Sequence, residues 1–509
     1  MTHLARNLAT RYLALIIEAA LGIVVLPYTV RHLGAAAYGL WALTASVTQY
    51  FTALQLGYGG ALVKFIAEFR AKKDPEALNE VLSTMFYVYT AIGAAAYLLA
   101  GLVAWFLPQL FHLDAEQGRI GQIVLLITAS QIALFFPFSV FGGVINGFEC
   151  FYINNVVGTV FNIVGALTQI AVLWAGYGLV ELVAATTIVR TLPFLIYRLN
   201  AYRVFPEMRL RPSYFRRGRL RDLTGFSAYL AIIDWSSKLA YATDNIVVGR
   251  LLGTSAVGVF SVGSRLTEQM FKVTNQLHIL LFPAVVTKAT TGDANSQQTL
   301  MVKATRFQLA MAVAVAAVSI ADGDVLIRAF FGPDFNKSVA ILQLLAVVVI
   351  LRAWMAMPST VLKGTGYQRY VAIGAAIAAV ANALLSVVLV KWMGLVGSAV
   401  GTVIPATALA AFCIFPQACR VVGLSTLRAY RHIVWPTIWP AVIAGLVVMN
   451  TRHALPVHLY AVLPHMALGA CLYMAIFIAF GIDRDERKWI VSAITQLRAR
   501  RQAASLAAA

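Results

Sequence analysis

Fourteen apolar segments, each long enough to cross a lipid bilayer as a helix, dominate the amino-acid sequence. A helix needs about 20 mostly apolar residues to span a hydrocarbon layer of roughly 30 Å. With 60% of its 509 residues apolar and only 12% charged, the chain has far more apolar surface than a water-soluble core absorbs. The sequence therefore predicts an all-α membrane protein with spans near residues 10–31, 38–66, 81–107, 120–147, 151–175, 178–200, 224–250, 254–287, 304–329, 338–362, 368–391, 394–417, 432–450 and 458–481.

Basic residues are distributed unevenly between the two sides of these spans. Most of the 40 Lys and Arg residues fall in the N-terminal tail, in every second loop after it, and in the C-terminal tail. The opposite loops hold only Arg31, Arg119, Arg250, Arg328, Lys337, Lys391 and Arg452. Because positive loops stay on the cytoplasmic side during insertion, both termini are expected in the cytoplasm. The net charge of +19 is therefore a matter of topology and does not indicate a nucleic-acid partner.

The first span has one alternative interpretation, a cleaved signal peptide, because Ala35, Ala36 and Ala37 resemble a small-residue cleavage site. Glu18 and Pro27 interrupt the apolar core that such a peptide needs. The Ala-rich segment also recurs in the second half of the chain. We therefore expect the first helix to remain in the protein.

An internal repeat divides the chain. The segment LGAAAYGLW, which begins at Leu33, reappears as LGTSAVGVF from Leu252, a shift of 219 residues. Further pairs keep nearly the same shift: Phe111 with Phe330, Pro137 with Pro358, Asn162 with Asn382, and Gly178 with Gly394. The shift covers an even number of spans, so both copies have the same orientation, as in transporters whose halves are related by an axis along the membrane normal.

The repeat predicts five regions along the chain. A six-helix bundle (1–202), a basic cytoplasmic linker (203–223) and a second six-helix bundle (224–417) are followed by two extra transmembrane helices (418–483) and a basic cytoplasmic tail (484–509). We expect the linker to contact anionic lipid. The tail places Trp489 and other apolar residues at helical spacing among basic ones, which is typical of a helix on the membrane surface.

Charged residues inside the spans are the first candidates for function, since an uncompensated charge in hydrocarbon is costly. They include Glu18 in the first span, Asp234, Lys238 and Asp244 in the seventh, Arg265, Glu268 and Lys272 in the eighth, and Arg352 in the tenth. The stretch from Arg265 to His278 is too polar to face lipid, which favours a water-filled cationic cavity. The alternative is that local ion pairs, such as Asp234 with Lys238, satisfy these charges.

The sequence contains no motif of a cofactor, a metal site or a catalytic centre. It has no nucleophile beside a base, no phosphate-binding loop with Lys and Ser or Thr, and no catalytic pair of carboxylates. A transporter is thus favoured over an enzyme.

Several ordered motifs carry a resemblance to a known family. They are the LG-x3-YG element from Leu33 to Gly39, the segment LGYG at 56–59, the segment FFG at 330–332 and the stretch DNIVVGRLLG at 244–253. With these motifs and twelve-plus-two helices, the chain resembles the oligosaccharide-flippase (Wzx-like) branch of the multidrug/oligosaccharidyl-lipid/polysaccharide (MOP) exporter superfamily, over nearly its whole length.

The resemblance implies an alternating-access protein of the bacterial inner membrane that moves an undecaprenyl-pyrophosphate-linked oligosaccharide outward. Its implied partners are this lipid-linked oligosaccharide, membrane lipids, a driving proton or sodium ion, and other polysaccharide-assembly proteins. The charges in the spans suit these roles. Lys238, Arg265, Lys272 and Arg352 are expected to bind the pyrophosphate. Glu18, Asp234 and Asp244 are expected to bind the driving ion.

Two rival interpretations remain. A drug/cation antiporter of the same superfamily shares the two six-helix halves, but usually has twelve helices and an acidic cavity. A membrane polysaccharide polymerase or ligase usually places its chemistry in a large extracytoplasmic loop. Here the longest such connections, near 108–119 and 330–337, are short.

Overall fold

The computed structural model describes residues 3–55, 58–290, 294–452 and 456–482. Nearly all of these residues are helical, and within these ranges no strand occurs. The α-helices are α1 (His3–Thr52), α2 (Tyr58–Ala71), α3 (Pro75–Phe111), α4 (Ala115–Gly147), α5 (Phe151–Trp174), α6 (Leu179–Val204), α7 (Arg217–Leu252), α8 (Thr254–Thr290), α9 (Ala294–Ala321), α10 (Gly323–Phe331), α11 (Ser338–Gly364), α12 (Gln368–Met393), α13 (Leu395–Thr407), α14 (Phe415–Val421), α15 (Thr426–Ala429), α16 (Trp435–Thr451) and α17 (Leu459–Ile476). The predicted surface helix around Trp489 lies outside the described residues.

Eleven helical segments in the described part of the chain are long and apolar enough to cross a membrane. The first, Ala9–Ala71, covers two of the predicted spans, 10–31 and 38–66. The predicted spans 224–250 and 254–287 coincide with α7 and α8, which are 36 and 37 residues long but are not among the eleven. Both helices carry charged residues along their length. The all-α multi-pass architecture is confirmed, and the number fourteen stays a prediction.

The repeated segment has the same backbone conformation in both halves. Gly34 kinks α1 with φ 73° and ψ 173°, and Gly253 ends α7 with φ 86° and ψ 177°. The two glycines are equivalent under the shift of 219 residues. A positive φ is a conformation that glycine adopts without steric cost, which explains why both copies of the repeat carry glycine here.

Two further glycines of the repeat form a reciprocal contact, which we call the glycine contact. A Cβ atom on Gly39 would lie 1.8 Å from the carbonyl oxygen of Thr254, and one on Gly258 would lie 2.1 Å from that of Ala35. Gly39 is equivalent to Gly258, and Ala35 to Thr254. Each half therefore presents the same glycine to the same position of the other half, as a pseudo-twofold relation requires.

The described chain divides into two compact units. The first contains residues 1–269, 331–344 and 367–409, and the second contains 270–330, 345–366 and 410–509. In the first unit α3 packs against α4, and α12 packs against α7 and α13. In the second unit α9 packs against α16 and α17. The five predicted regions, with their bounds at 202, 223, 417 and 483, stay predictions.

The segment predicted as a basic linker is bound to the start of α3. The Asn79 side-chain oxygen accepts a hydrogen bond from the Arg209 backbone nitrogen at 2.7 Å. Glu80 forms ion pairs with Arg216 and Arg219, whose Nε atoms lie 3.0 and 3.1 Å from its carboxylate oxygens. These contacts order the linker on protein, in addition to any contact with lipid.

Candidate functional site

A polar cavity of about 380 Å³ lies within the first unit. Five helices contribute its polar side chains: Glu18, Thr29 and Tyr38 from α1, Thr128 from α4, Asn162 and Gln169 from α5, Arg190 from α6, and Arg265 and Gln269 from α8. Polar groups that would be costly against lipid thus face a common space. We call it the arginine cavity.

Two guanidinium groups give this cavity its charge. Arg265 is only partly compensated, because its Nη1 atom lies 3.4 Å from a Glu268 carboxylate oxygen and both side chains are well exposed. Arg190 is also exposed and lies close enough to Arg265 for the two cations to repel. Glu18 supplies one negative charge to the lining. An anion placed between the arginines would relieve their repulsion and accept charge-assisted hydrogen bonds.

Neutral polar groups also line the cavity, beside apolar residues such as Leu21 and Phe161. The Gln169 amide nitrogen donates to the Thr29 hydroxyl at 2.6 Å, and this pair is buried. Asn162 and Gln269 add two further amides. Amide and hydroxyl groups of this kind hold the polar parts of a ligand in orientation without adding charge.

The structure separates the residues that the sequence grouped into one cationic site. Glu18 and Arg265 line the arginine cavity together. Lys238 is not among its lining residues and forms an ion pair with Asp234, with 2.6 Å between Nζ and Oδ2. Lys272 and Arg352 belong to the second unit, where the Arg352 guanidinium stacks on the Phe271 ring at 3.3 Å from its centroid. The local ion pairing considered for Asp234 and Lys238 is what the structure has.

Arg190 was not among the residues predicted from the sequence. A sequence feature does mark it, since it is a cation in the middle of the apolar span predicted at 178–200. Asn162 was recognised only as the repeat partner of Asn382. It was not predicted as a site residue, because a neutral amide in an apolar helix does not stand out as a charge does. The position of both residues in the cavity lining follows only from the packing of α4, α5 and α6.

Asp244 lies in a second polar site of the first unit. Its carboxylate is 3% exposed and accepts hydrogen bonds from three hydroxyls. Ser386 and Ser398 donate to Oδ1 at 3.0 and 2.9 Å, and Thr402 donates to Oδ2 at 2.8 Å. The Asn382 amide donates to the Thr402 hydroxyl at 3.0 Å. We call this cluster, formed by α7, α12 and α13, the carboxylate site.

The carboxylate site contains one acidic group and several neutral oxygens. Among the described residues no cation forms an ion pair with Asp244. A buried carboxylate without a countercharge is either protonated or accompanied by a bound cation. Among the described residues there is also no group of three or more His, Cys, Asp or Glu that could hold a metal ion. One negative charge with hydroxyl ligands suits a proton or a monovalent hard cation.

The two sites use equivalent positions of the repeat differently. Asn162 lines the arginine cavity, whereas its repeat partner Asn382 supports Thr402 in the carboxylate site. Fold and sites together define a multi-pass helical membrane protein whose first unit contains a cavity with cationic groups and a buried acidic site.

Comparison with known proteins places the chain more closely. Residues 4–287 match the family described as "Polysaccharide biosynthesis protein". The protein belongs to this family. It is 21% identical over 422 residues to the probable flippase AglR of Haloferax volcanii, which covers 80% of this chain and 82% of that protein.

Solved structures of the same fold cover most of the chain. The lipid II flippase MurJ in an inward closed conformation matches with a TM-score of 0.73 and 14% identity, over 92% of this chain and 97% of that one. An inward-facing multidrug resistance MATE family transporter of the MOP superfamily matches with a TM-score of 0.69 and 17% identity, over 80% of this chain and 94% of that one. At these identities the likeness concerns the fold alone, and it confirms the all-α architecture.

Proposed function

We propose that this protein is an alternating-access flippase of the bacterial inner membrane. It moves an undecaprenyl-pyrophosphate-linked oligosaccharide from the cytoplasmic to the periplasmic leaflet, with both of its own termini in the cytoplasm. The translocated units supply a surface polysaccharide such as O-antigen, exopolysaccharide or capsule. The protein transports its substrate without chemical change.

The arginine cavity is the observation that carries this proposal. A pyrophosphate has more than one negative charge, and Arg190 and Arg265 supply two cations in a space whose other lining groups are neutral apart from Glu18. Arginine binds phosphate oxygens in a bidentate manner, which adds orientation to charge attraction. The matching family and a relative named as a probable flippase support the same class of substrate.

The carboxylate site is where the driving ion binds. Of the three acidic residues expected to serve this role, Asp234 is paired with Lys238 and Glu18 lies in the arginine cavity. Only Asp244 is both buried and surrounded by neutral oxygen donors. A proton or sodium ion neutralises it there, and the change in charge alters which packing of α7, α12 and α13 is favoured.

Translocation in proteoliposomes tests the function directly. The wild-type protein is expected to move a fluorescent undecaprenyl-pyrophosphate oligosaccharide between leaflets. Arg190→Ala and Arg265→Ala are expected to slow this movement by about tenfold or more, since each removes charge-assisted hydrogen bonds to the anion. Arg198→Ala is the matched control, because Arg198 is an exposed cation on the same helix as Arg190 and does not line the cavity.

The two rival interpretations give different results in the same vesicles. Efflux of small organic cations without movement of the lipid would identify a drug/cation antiporter. Lengthening of the glycan in place of translocation would identify a polymerase. Equal rates for Arg190→Ala, Arg198→Ala and the wild-type protein would remove the arginine cavity from the mechanism.

A further inference from the structure

A second cavity lies in the first unit and has different chemistry. Its volume is about 360 Å³, which is within the range of small-molecule sites. Helices α2, α4, α5 and α6 line it, together with Gln55 at the end of the 3-10 turn that precedes α2. We call it the aromatic-amide pocket.

The side chains that line this pocket within the described residues carry no charge. Three of them are phenylalanines, of which Phe138 and Phe194 stack with ring centroids 5.6 Å apart and planes 20° apart. Phe135 lies 6.4 Å from Phe194. The polar lining consists of amides and hydroxyls: Gln55, Ser139, Asn146, Asn154 and Tyr197. Aromatic faces beside neutral hydrogen-bonding groups match a sugar, whose ring has apolar C–H faces and a rim of hydroxyls.

Asn154 has an unused hydrogen-bonding atom at this pocket. Its amide nitrogen donates to the Gly142 carbonyl at 3.1 Å and to the Asn146 side-chain oxygen at 2.8 Å. These two bonds fix the orientation of the amide. Its Oδ1 atom is buried and has no hydrogen-bond partner among the residues described. A buried acceptor without a partner carries a free-energy cost that a ligand hydroxyl or amide N–H would remove.

The pocket lies beside the arginine cavity, because the same three helices line both. On α5, Asn162 lines the arginine cavity and Asn154 lines the pocket. On α6, Arg190 lines the arginine cavity, whereas Phe194 and Tyr197 line the pocket. At 1.5 Å per residue these separations correspond to about 6–12 Å along the helix axes. On α4 the lining likewise continues from Thr128 in one cavity to 135–143 in the other. A group bound at Arg190 and a group one sugar away can therefore occupy both spaces together.

We propose that the aromatic-amide pocket is a glycan subsite that binds an uncharged sugar of the lipid-linked substrate, close to its pyrophosphate. The inference rests on the proposed flippase function and adds to it a determinant of which glycan is accepted. The Asn154 oxygen accepts a hydrogen bond from a sugar hydroxyl or acetamido N–H. The phenylalanine faces exclude sugars that carry a charge at the same position, since no group in the described lining would compensate that charge.

Binding of a lipid pyrophosphate with and without one sugar tests this subsite. The purified full-length protein is titrated with undecaprenyl pyrophosphate carrying one N-acetylhexosamine and with undecaprenyl pyrophosphate alone. The wild-type protein is expected to bind the glycosylated lipid more tightly. Asn154→Ala and Tyr197→Phe are expected to weaken this binding by about three- to tenfold, as for the loss of one hydrogen bond, and to leave the sugar-free lipid unaffected.

Two substitutions of the same types serve as controls. Asn450→Ala and Tyr177→Phe change exposed residues outside the pocket and are expected to bind both lipids as the wild-type protein does. Tyr197→Phe keeps the ring, so it tests the subsite even if Asn154→Ala fails to fold. Equal weakening of both lipids, or of neither, would overturn the glycan subsite. Equal wild-type affinity for both lipids would overturn the subsite and leave the flippase, whereas binding of neither lipid would overturn both.

Discussion

Asp234 and Asp244 lie ten residues apart on one helix and have opposite surroundings. Asp234 is 46% exposed and is held by Lys238 one turn later. Asp244 is buried, and its partners are hydroxyls from residues 142, 154 and 158 positions away in the sequence. A local ion pair satisfies the first carboxylate. The second carboxylate has neutral hydroxyl partners and no ion pair among the described residues, which makes it the better candidate for coupling.

Asp244→Asn is expected to separate transport from its driving force. The amide keeps the shape of the side chain but no longer attracts a proton or sodium ion. Acceleration of lipid translocation by an imposed ion gradient should fall by about tenfold, within the usual range of coupling free energies. Translocation without a gradient should persist. The measurement compares rates in proteoliposomes with and without sodium and proton gradients, and Asp334→Asn, an exposed acidic residue, is the control. Undiminished acceleration in Asp244→Asn would exclude this site.

Gly39→Ala and Gly258→Ala are each expected to destabilise the protein. A Cβ atom at either position would fall within about 2 Å of a backbone oxygen, so helix segments rather than flexible side chains must move. Overpacking of this kind costs about 1–3 kcal/mol. Thermal unfolding of the detergent-purified variants is the measurement. Gly101→Ala is the control, since a Cβ there meets nothing within 4 Å. Identical melting of all three variants would contradict the glycine contact.

The sequence allowed the charged candidates to be found but not their partners. Glu18, Arg265 and Asp244 were recognisable because a charge in an apolar span is conspicuous. Ser386, Ser398 and Thr402 were not, since small hydroxyl residues are common in membrane helices and carry no pattern of their own. The partners of these charged residues depend on how helices that are far apart in the sequence pack together.

At the scale of helices, a polar clamp in the second unit holds α17 to the end of α9. Asp322 is fully buried, and its carboxylate lies 2.7 Å from Nδ1 of His465 on α17. The other ring nitrogen of His465 lies 2.8 Å from the Thr451 hydroxyl on α16. The neighbouring Arg452 contacts both the Ala321 carbonyl at 2.6 Å and the Asp324 carboxylate at 3.0 Å. The two helices that follow the repeat are thus tied to one helix of it.

His465→Ala is expected to loosen this clamp. Without the imidazole, a fully buried carboxylate loses its ring partner, and such a loss costs about 3 kcal/mol or more. The melting temperature should fall, and hydrogen exchange should increase in α16 and α17 before it does in the first unit. His458→Ala is the matched control because His458 is exposed at the start of α17. Equal protection of α17 in both variants would show that apolar packing alone holds this helix.

The fold was more predictable than the site for a physical reason. Length and hydropathy decide whether a helix enters a membrane, and both are local properties of the sequence. The charged residues of α7 and α8 are also visible in the sequence. They are the reason why these two helices are not among the eleven apolar segments. The ordering of the 203–223 segment on α3 depends on the side chains of Asn79 and Glu80, whose partners lie more than 120 residues away.

For the whole molecule, the decisive question is whether α7 and α8 cross the bilayer. If the chain has fourteen spans, the connection at Gly253 is extracytoplasmic and both termini are cytoplasmic. An alkaline phosphatase fused after Gly253 is then expected to be active, and one fused after Pro212 inactive. Phosphatase activity in intact cells is the measurement. An inactive fusion after Gly253 would place α7 outside the membrane and reduce the number of spans.

The glycine contact also bears on how one chain came to hold two chemically different sites. Two identical subunits related by a twofold axis would make the contact twice with a single glycine, and every substitution would appear in both subunits. Within one chain the glycine contact is kept, while the other residues of each half can be substituted independently. Asn162 beside the arginines and Asn382 beside a carboxylate are the result. Because the halves are covalently joined, they are always present in a one-to-one ratio. The effective concentration of one half for the other is set by the linker and does not depend on the expression level.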